Sequence, residues 1–142
     1  MKKLLQLTLR FFAQAVLKKY KPQIIGITGS VGKTSAKEAI TFALAKNFRV
    51  RANIKNYNNE IGLPLTIFGR QSPKKNLFGW LKLFLFALRL LLWKHKKYPQ
   101  VLILEMGVDR PGDIKYLTDI ARPNIAILTA IATSHMEFFG SI

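Results

Sequence analysis

Apolar positions along the chain fall into two rhythms that alternate. Leu5, Leu9, Phe12 and Val16 recur at spacings of 4, 3 and 4, with Lys3, Gln6, Arg10 and Gln14 opposite, which predicts an amphipathic helix over residues 1–19. Pro22 ends it. Residues 23–28 (QIIGIT) form a short apolar, β-branched run that predicts a strand, and a glycine-containing turn follows at 29–32. Ala36, Ala39, Ile40, Ala43 and Leu44 then fall at i, i+3, i+4, i+7 and i+8, a helical pattern. Residues 49–52 predict a second strand and 53–62 a polar, Asn-rich loop. Residues 101–106 (VLILEM) predict a buried strand, 112–121 a helix behind Pro111, and 124–131 (NIAILTAI) another strand leading into a loop at 132–140. Strands alternating with helices predict an α/β fold with a mostly parallel sheet and ligands at the strands' carboxyl ends.

Residues 70–99 interrupt this alternation. Between Leu77 and Trp93, 14 of 17 positions are apolar, the exceptions being Gly79, Lys82 and Arg89. Lys75, Lys82, Arg89 and Lys96 sit seven apart, so a helix would align them in one basic stripe. A helix of these 17 residues reaches about 26 Å, marginal for crossing a bilayer. The expectation is a helix over 77–97 lying on an anionic membrane surface, with packing against protein as the alternative.

Charge sharpens this picture. Residues 1–100 hold 20 Lys and Arg against Glu38 and Glu60, while 101–142 hold three against five acids, so the net +16 divides into +18 and −2. A one-sided basic excess points to an anionic partner surface, nucleic acid or lipid. The aromatics of the basic region lie in apolar runs such as Phe84-Leu85-Phe86 and not interleaved with cations, which argues against nucleic acid. The absence of cysteine excludes disulfide scaffolds and thiolate metal sites. Gln6, Thr8 and Arg10 break any continuous apolar segment at the N-terminus, so 1–19 does not read as an export signal.

The chemistry concentrates in Thr28-Gly29-Ser30-Val31-Gly32-Lys33-Thr34-Ser35. Glycines let the backbone N–H groups curl toward phosphate oxygens, and the helix N-terminus adds partial positive charge. Lys33 can reach terminal phosphates, and the Thr34 hydroxyl can meet Mg²⁺. The spacing departs from the general phosphate-loop pattern, since Ile27 stands where the first glycine belongs. Glu105 ends an apolar strand, where a carboxylate is costly unless a cation meets it; that cation could be Mg²⁺ or a Lys or Arg side chain. Asn58 and Asn59 could line a cleft or form turns. His135 alone reads as a solvated loop histidine. Asp109, Asp113 and Asp119 read as capping or surface acids.

Three further segments follow the loop in order: Asn58-Asn59-Glu60-Ile61-Gly62-Leu63-Pro64-Leu65-Thr66, Glu105-Met106-Gly107, and Pro123 through Gly140 with Ser134-His135-Met136-Glu137-Phe138-Phe139-Gly140-Ser141. Together they resemble the central ATPase domain of the Mur ligases, most of all the subtype that joins D-alanyl-D-alanine to a UDP-N-acetylmuramoyl-tripeptide. The resemblance covers residues 24–142 apart from the insert near 70–99. It implies a P-loop-type three-layer fold, here incomplete, carrying an N-terminal amphipathic helix and a hydrophobic basic helical insert. The implied division is 1–22 as basic helix and 23–142 as the N-terminal part of the ATP-binding domain.

The resemblance further implies an ATP-dependent amide ligase of peptidoglycan precursor synthesis, which phosphorylates a substrate carboxylate before an amine attacks the acyl phosphate. Gly29, Ser30, Val31, Gly32, Lys33, Thr34 and Ser35 would hold ATP, with Asn58 and Asn59 lining the nucleotide and substrate cleft. Thr34, Glu105 and His135 would bind Mg²⁺, and Lys33, Glu105 and His135 would be the catalytic set. Partners would be the nucleotide, a muramyl-peptide-like substrate and further C-terminal domains of the same protein. The expected location is the cytoplasm, with peripheral attachment to the inner membrane face through 1–19 and 77–97. About 22 residues of basic helix stand where the family carries a uridine-nucleotide-binding domain, and the family's downstream carbamylated lysine and adenine contacts have no counterpart. The expectation is therefore a fragment that binds ATP but does not complete ligation alone. The alternative is a membrane-associated nucleotide-binding module without ligase activity.

Overall fold

A computed structural model describes residues 2–54 and 56–132. The histidine-containing segment, His135 included, lies outside them. The elements are α1 (Lys2–Tyr20), β1 (Gln23–Thr28), α2 (Lys33–Leu44), β2 (Val50–Ala52), α3 (Gly62–Phe68), α4 (Leu77–Leu92), β3 (Val101–Glu105), α5 (Asp113–Ile120) and β4 (Ile125–Leu128).

The four strands form one sheet in the order β2-β3-β1-β4, and every pairing is parallel. Side chains leave a strand alternately to its two faces, so β1 and β3 supply both cores. Ile25, Ile27, Val101 and Ile103 point to the face covered by α2, against Ala36, Ile40 and Leu44. Ile24, Leu102 and Leu104 point to the other face, where α1, α3 and α5 pack and α4 lies against α1. The result is three layers, helix on sheet on helices. Both inner strands are buried, as a sheet covered on both faces requires.

Strand β1 runs Gln23 to Thr28 as the pattern predicts, and both α2 and β3 form where expected. Three features differ. The short helix α3 lies at the end of the predicted polar loop and continues past it. All seven of its residues are buried, so it has no polar face for periodicity to reveal. The predicted strands at 49–52 and 124–131 shorten to Val50–Ala52 and Ile125–Leu128.

The helix expected over 77–97 stops at Leu92, because α1 supplies its cap. Lys19 Nζ donates to the carbonyls of Leu90 (2.9 Å) and Leu91 (2.8 Å), and Tyr20 Oη donates to those of Leu90 (3.0 Å) and Trp93 (3.2 Å). These bonds satisfy carbonyls that a helix end leaves open. Trp93 turns to extended backbone. Of the four aligned cations, only Lys82 and Arg89 lie on the helix; Lys75 precedes it and Lys96 follows it.

Candidate functional site: the phosphate loop and the end of β3

The segment between β1 and α2 is a left-handed curl built on two glycines. Gly29 has φ 133° and Gly32 φ 86°, a region that side chains rarely enter. Gly29 is also closely packed, since a Cβ there would stand 2.3 Å from Thr129 Oγ1 and 2.9 Å from the Ala130 carbonyl. The segment after β4 braces the loop. Ser30 N–H donates to Ala130 O (2.6 Å), Ser30 Oγ bonds both the carbonyl and the N–H of Ala132, and Thr129 Oγ1 donates to Val31 O (2.6 Å). The Ser30 side chain therefore holds the loop's shape. Lys33 folds back over the curl, its ammonium donating to the carbonyls of Gly29 and Ser30. Val31 is exposed, and Ser35 lies in the first turn of α2.

Glu105, the last residue of β3, is only 5% exposed and gathers a network. Its Oε2 accepts from Thr34 Oγ1 (3.2 Å) and pairs with the buried ammonium of Lys37 (3.3 Å), while its Oε1 accepts from Asn58 Nδ2 (3.4 Å). A lysine side chain thus meets the carboxylate, one of the two kinds of cation expected from the sequence. Lys37 is itself 5% exposed. Sequence reasoning missed it, although its spacing was a usable signal: three residues after Thr34 and four after Lys33, it shares their face of α2.

Asn53 was missed as well. It donates to Glu105 O (2.8 Å) and accepts from Glu105 N–H (2.7 Å), and its Nδ2 also reaches Tyr57 O (2.9 Å). This two-way clamp extends the ladder one residue past β2 and fixes where the β3 carboxylate emerges.

Asn58 and Asn59 divide their roles. Asn58 touches Glu105 through its side chain and receives Gly107 N–H on its carbonyl (2.8 Å). Asn59 Oδ1 accepts from Ile61 N–H (3.2 Å) and Gly62 N–H (2.9 Å), which starts α3. Both also line a cleft of about 770 Å³ with Glu60, Gly107, Arg110 and Tyr116. Asp113 caps its turn, accepting from Asp109 N–H (3.0 Å) and Arg110 N–H (2.8 Å). Asp119 pairs with Arg10 and Lys115 at the surface.

The donor chemistry fits a hard cation. Thr34 and Glu105 offer a hydroxyl and a carboxylate within 3.2 Å of each other at the mouth of the phosphate loop, the oxygen ligands Mg²⁺ favours. No cluster of three or more His, Asp or Glu occurs among the described residues, so such an ion would take most of its shell from phosphate and water.

The chain as a whole has relatives. A family model described as the Mur ligase middle domain matches residues 27–77 and 86–142. The chain belongs to the Mur ligase family. The UDP-N-acetylmuramoyl-tripeptide--D-alanyl-D-alanine ligase of Bacillus subtilis (strain 168) is 33% identical over 133 residues, which are 94% of this chain and 24% of that protein. The ligase of the same name from Synechocystis is 37% identical over 118 residues, 83% of this chain and 20% of that protein. The crystal structure of MurF ligase from Thermotoga maritima in complex with ADP superposes with a TM-score of 0.71 at 33% identity, over 96% of this chain and 26% of that one. The chain thus spans about a quarter of the length of the Mur ligases it matches.

Proposed function

We propose that this chain is the nucleotide-binding part of an ATP-dependent amide ligase that adds D-alanyl-D-alanine to a UDP-muramyl tripeptide. In this reading residues 1–22 form a basic helix, and 23–142 form the first part of the ATP-binding domain with its helical insert at 70–99. The observation that carries the reading is the meeting of Thr34, at the N-terminus of α2, with Glu105, at the carboxyl end of β3.

The chemistry is two displacements. The donor carboxylate takes the γ-phosphoryl group from ATP and releases ADP; the amine then attacks the acyl carbon and releases phosphate. Charge builds on phosphoryl oxygens in the first step, so fixed positive groups at the loop lower its barrier. The loop N–H groups other than that of Ser30, which is bonded to Ala130 O, and the α2 N-terminus would face the β-phosphate. Lys33 leaves the loop carbonyls for the β- and γ-phosphates, exchanging neutral acceptors for charged ones. Thr34 Oγ1 and the Glu105 carboxylate would hold Mg²⁺, with His135 in the second metal position that the family resemblance assigns it. Mg²⁺ supplies charge neutralisation of the transferring phosphoryl group. Asn58 aims the Glu105 carboxylate, and the cleft that Asn58 and Asn59 line receives the donor. Amide formation is proposed for the longer protein, because acyl transfer needs the carboxylate, phosphate and amine held in line. ATP and a UDP-linked donor place the reaction in the cytoplasm.

The test is calorimetric titration of Mg-ADP into the 142-residue protein and its Lys33→Ala variant. Loss of a hydrogen bond to a charged group, worth about 1.5–3 kcal/mol, weakens binding about tenfold or more. Equal affinity in the two proteins would remove Lys33 from the site and the reading with it.

A further inference from the structure

Helix α4 is apolar on both sides, and only one of them is used. Leu83, Ala87 and Leu90 are buried inward. On the opposite side Leu77, Leu81, Leu85, Leu88 and Leu92 follow one another at spacings of 4, 4, 3 and 4, with exposures from 42% to 81%. Phe78 and Trp93 are exposed at the two ends. The surface continues onto α1: Phe84 of α4 meets Phe12 (5.8 Å between ring centroids), Phe12 meets Phe11 (5.7 Å), and Phe11 shares an exposed helix face with Leu4 and Leu7. Such a contiguous apolar surface marks a docking site.

Beside the leucine row a second feature identifies the occupant. A cleft of about 530 Å³ opens between α4 and the segment before it, with Arg70, Lys82 and Arg89 around it and Phe86 in its wall. The Arg70 guanidinium lies 3.8 Å from the Phe86 ring centroid. Between residues 61 and 104 the chain carries eight Lys and Arg and no Asp or Glu. None of those eight takes part in an ion pair among the described residues. The family model matches residues 27–77 and 86–142, leaving out residues 78–85 of this helix.

We infer that α4 docks this protein in the plane of an anionic phospholipid bilayer, the leucine row entering the acyl boundary while Arg70, Lys82 and Arg89 bind lipid phosphates. Protein interfaces deplete lysine and charge at their centres, whereas an apolar helix face flanked by Lys and Arg with a tryptophan at its end suits the membrane interface. Lys82 and Arg89 have stems long enough to lie along apolar surface and place their charges among headgroups. A transmembrane course is ruled out for this helix: its 16 residues reach about 24 Å, and no helix among the described residues is long and apolar enough to cross. The docking surface is separate from the phosphate loop and does not depend on the ligase reading.

The experiment is flotation of the 142-residue protein with vesicles of phosphatidylglycerol and phosphatidylcholine in equal parts, or of phosphatidylcholine alone, with oligomeric state followed by sedimentation. At low salt the protein floats with the anionic vesicles, and at about 0.5 M salt it is released, because headgroup charges are then screened within a few ångströms. Leu81→Glu/Leu85→Glu weakens partitioning about tenfold or more, and Lys82→Glu/Arg89→Glu about fivefold per cation removed. Both variants change exposed positions and retain the far-ultraviolet circular dichroism and Mg-ADP affinity of the parent. The inference is overturned if the protein stays soluble with both vesicles, or if it floats equally well with phosphatidylcholine alone. It is also overturned if Leu81→Glu/Leu85→Glu converts a vesicle-indifferent dimer to a monomer, which would make the surface a contact between copies of this chain.

Discussion

Replacing Lys37 with methionine tests whether the buried cation holds the end of β3. Its ammonium stands 3.3 Å from Glu105 Oε2, with both side chains 6% exposed. At an effective dielectric constant of about 20, two unit charges at that distance attract by about 5 kcal/mol. Burying each ion costs several kcal/mol, so the pair as a whole is close to neutral against an apolar replacement. Removing only the lysine is different, because the carboxylate stays buried without a counter-charge. That costs about 3–5 kcal/mol in comparable cases. Thr34 and Asn58 still donate to Glu105, which puts the expected loss near the lower end, about 3 kcal/mol.

Urea denaturation of the parent, Lys37→Met, Glu105→Gln and the double variant measures this as a cycle. Lys37→Met shows the large loss, and adding Glu105→Gln recovers about 2 kcal/mol of it, the coupling expected of residues in contact. A second reading uses the metal. With the internal cation gone, Mg²⁺ raises the denaturation midpoint of Lys37→Met more than that of the parent, since stabilisation by a ligand grows with the logarithm of its affinity. A Lys37→Met protein within about 0.5 kcal/mol of the parent, the spread of ordinary surface substitutions, would show that Glu105 does not depend on Lys37.

Two other perturbations probe the scaffold. Gly29→Ala forces a side chain into φ 133° and against Thr129 and the Ala130 backbone; it should cost at least about 1 kcal/mol and abolish detectable Mg-ADP binding, checked by melting and titration together. Tyr98 is buried, donates to Ile67 O (2.9 Å) and stacks on Tyr20, and burial raises its phenol pKa above the ordinary 10.0 against the opposing pull of Arg51. The folded state therefore holds this proton more tightly than the unfolded chain, so its contribution is complete below about pH 10 and declines as pH rises toward the folded value. Melting temperature should fall more steeply above pH 10 in the parent than in Tyr98→Phe, and parallel curves would refute the assignment.

What could be read from the amino-acid pattern follows a physical rule. Strands β1 and β3 were legible because both of their faces are covered, which demands unbroken apolar runs such as QIIGIT and VLILE. The loop before α2 was legible because only glycine tolerates its φ values. Helix α3 was not, since burial on every side erases the polar face that makes a helix visible. The end of α4 was not, because the groups that cap it, Lys19 and Tyr20, stand some 70 residues earlier in the chain. Periodicity describes a segment's own surface and carries no information about a distant donor.

Glu105 shows the same limit inside the site. The pattern located a costly carboxylate and required a cation for it, yet a lysine on an amphipathic helix reads as solvated until the strand it faces is known. Once β3 and α2 are adjacent, one partner is visible: Lys37 is a cation within reach among the described residues, and Thr34 shares its oxygen. Asn58 holds the other oxygen, and Asn53 grips the Glu105 backbone in both directions. Each carboxylate oxygen thus has a fixed partner before any nucleotide arrives. Under the proposed function, a phosphate and its metal entering the loop would meet a carboxylate already oriented, so little of their binding free energy would be needed for ordering it, which is the condition under which fixed charge lowers a phosphoryl-transfer barrier most.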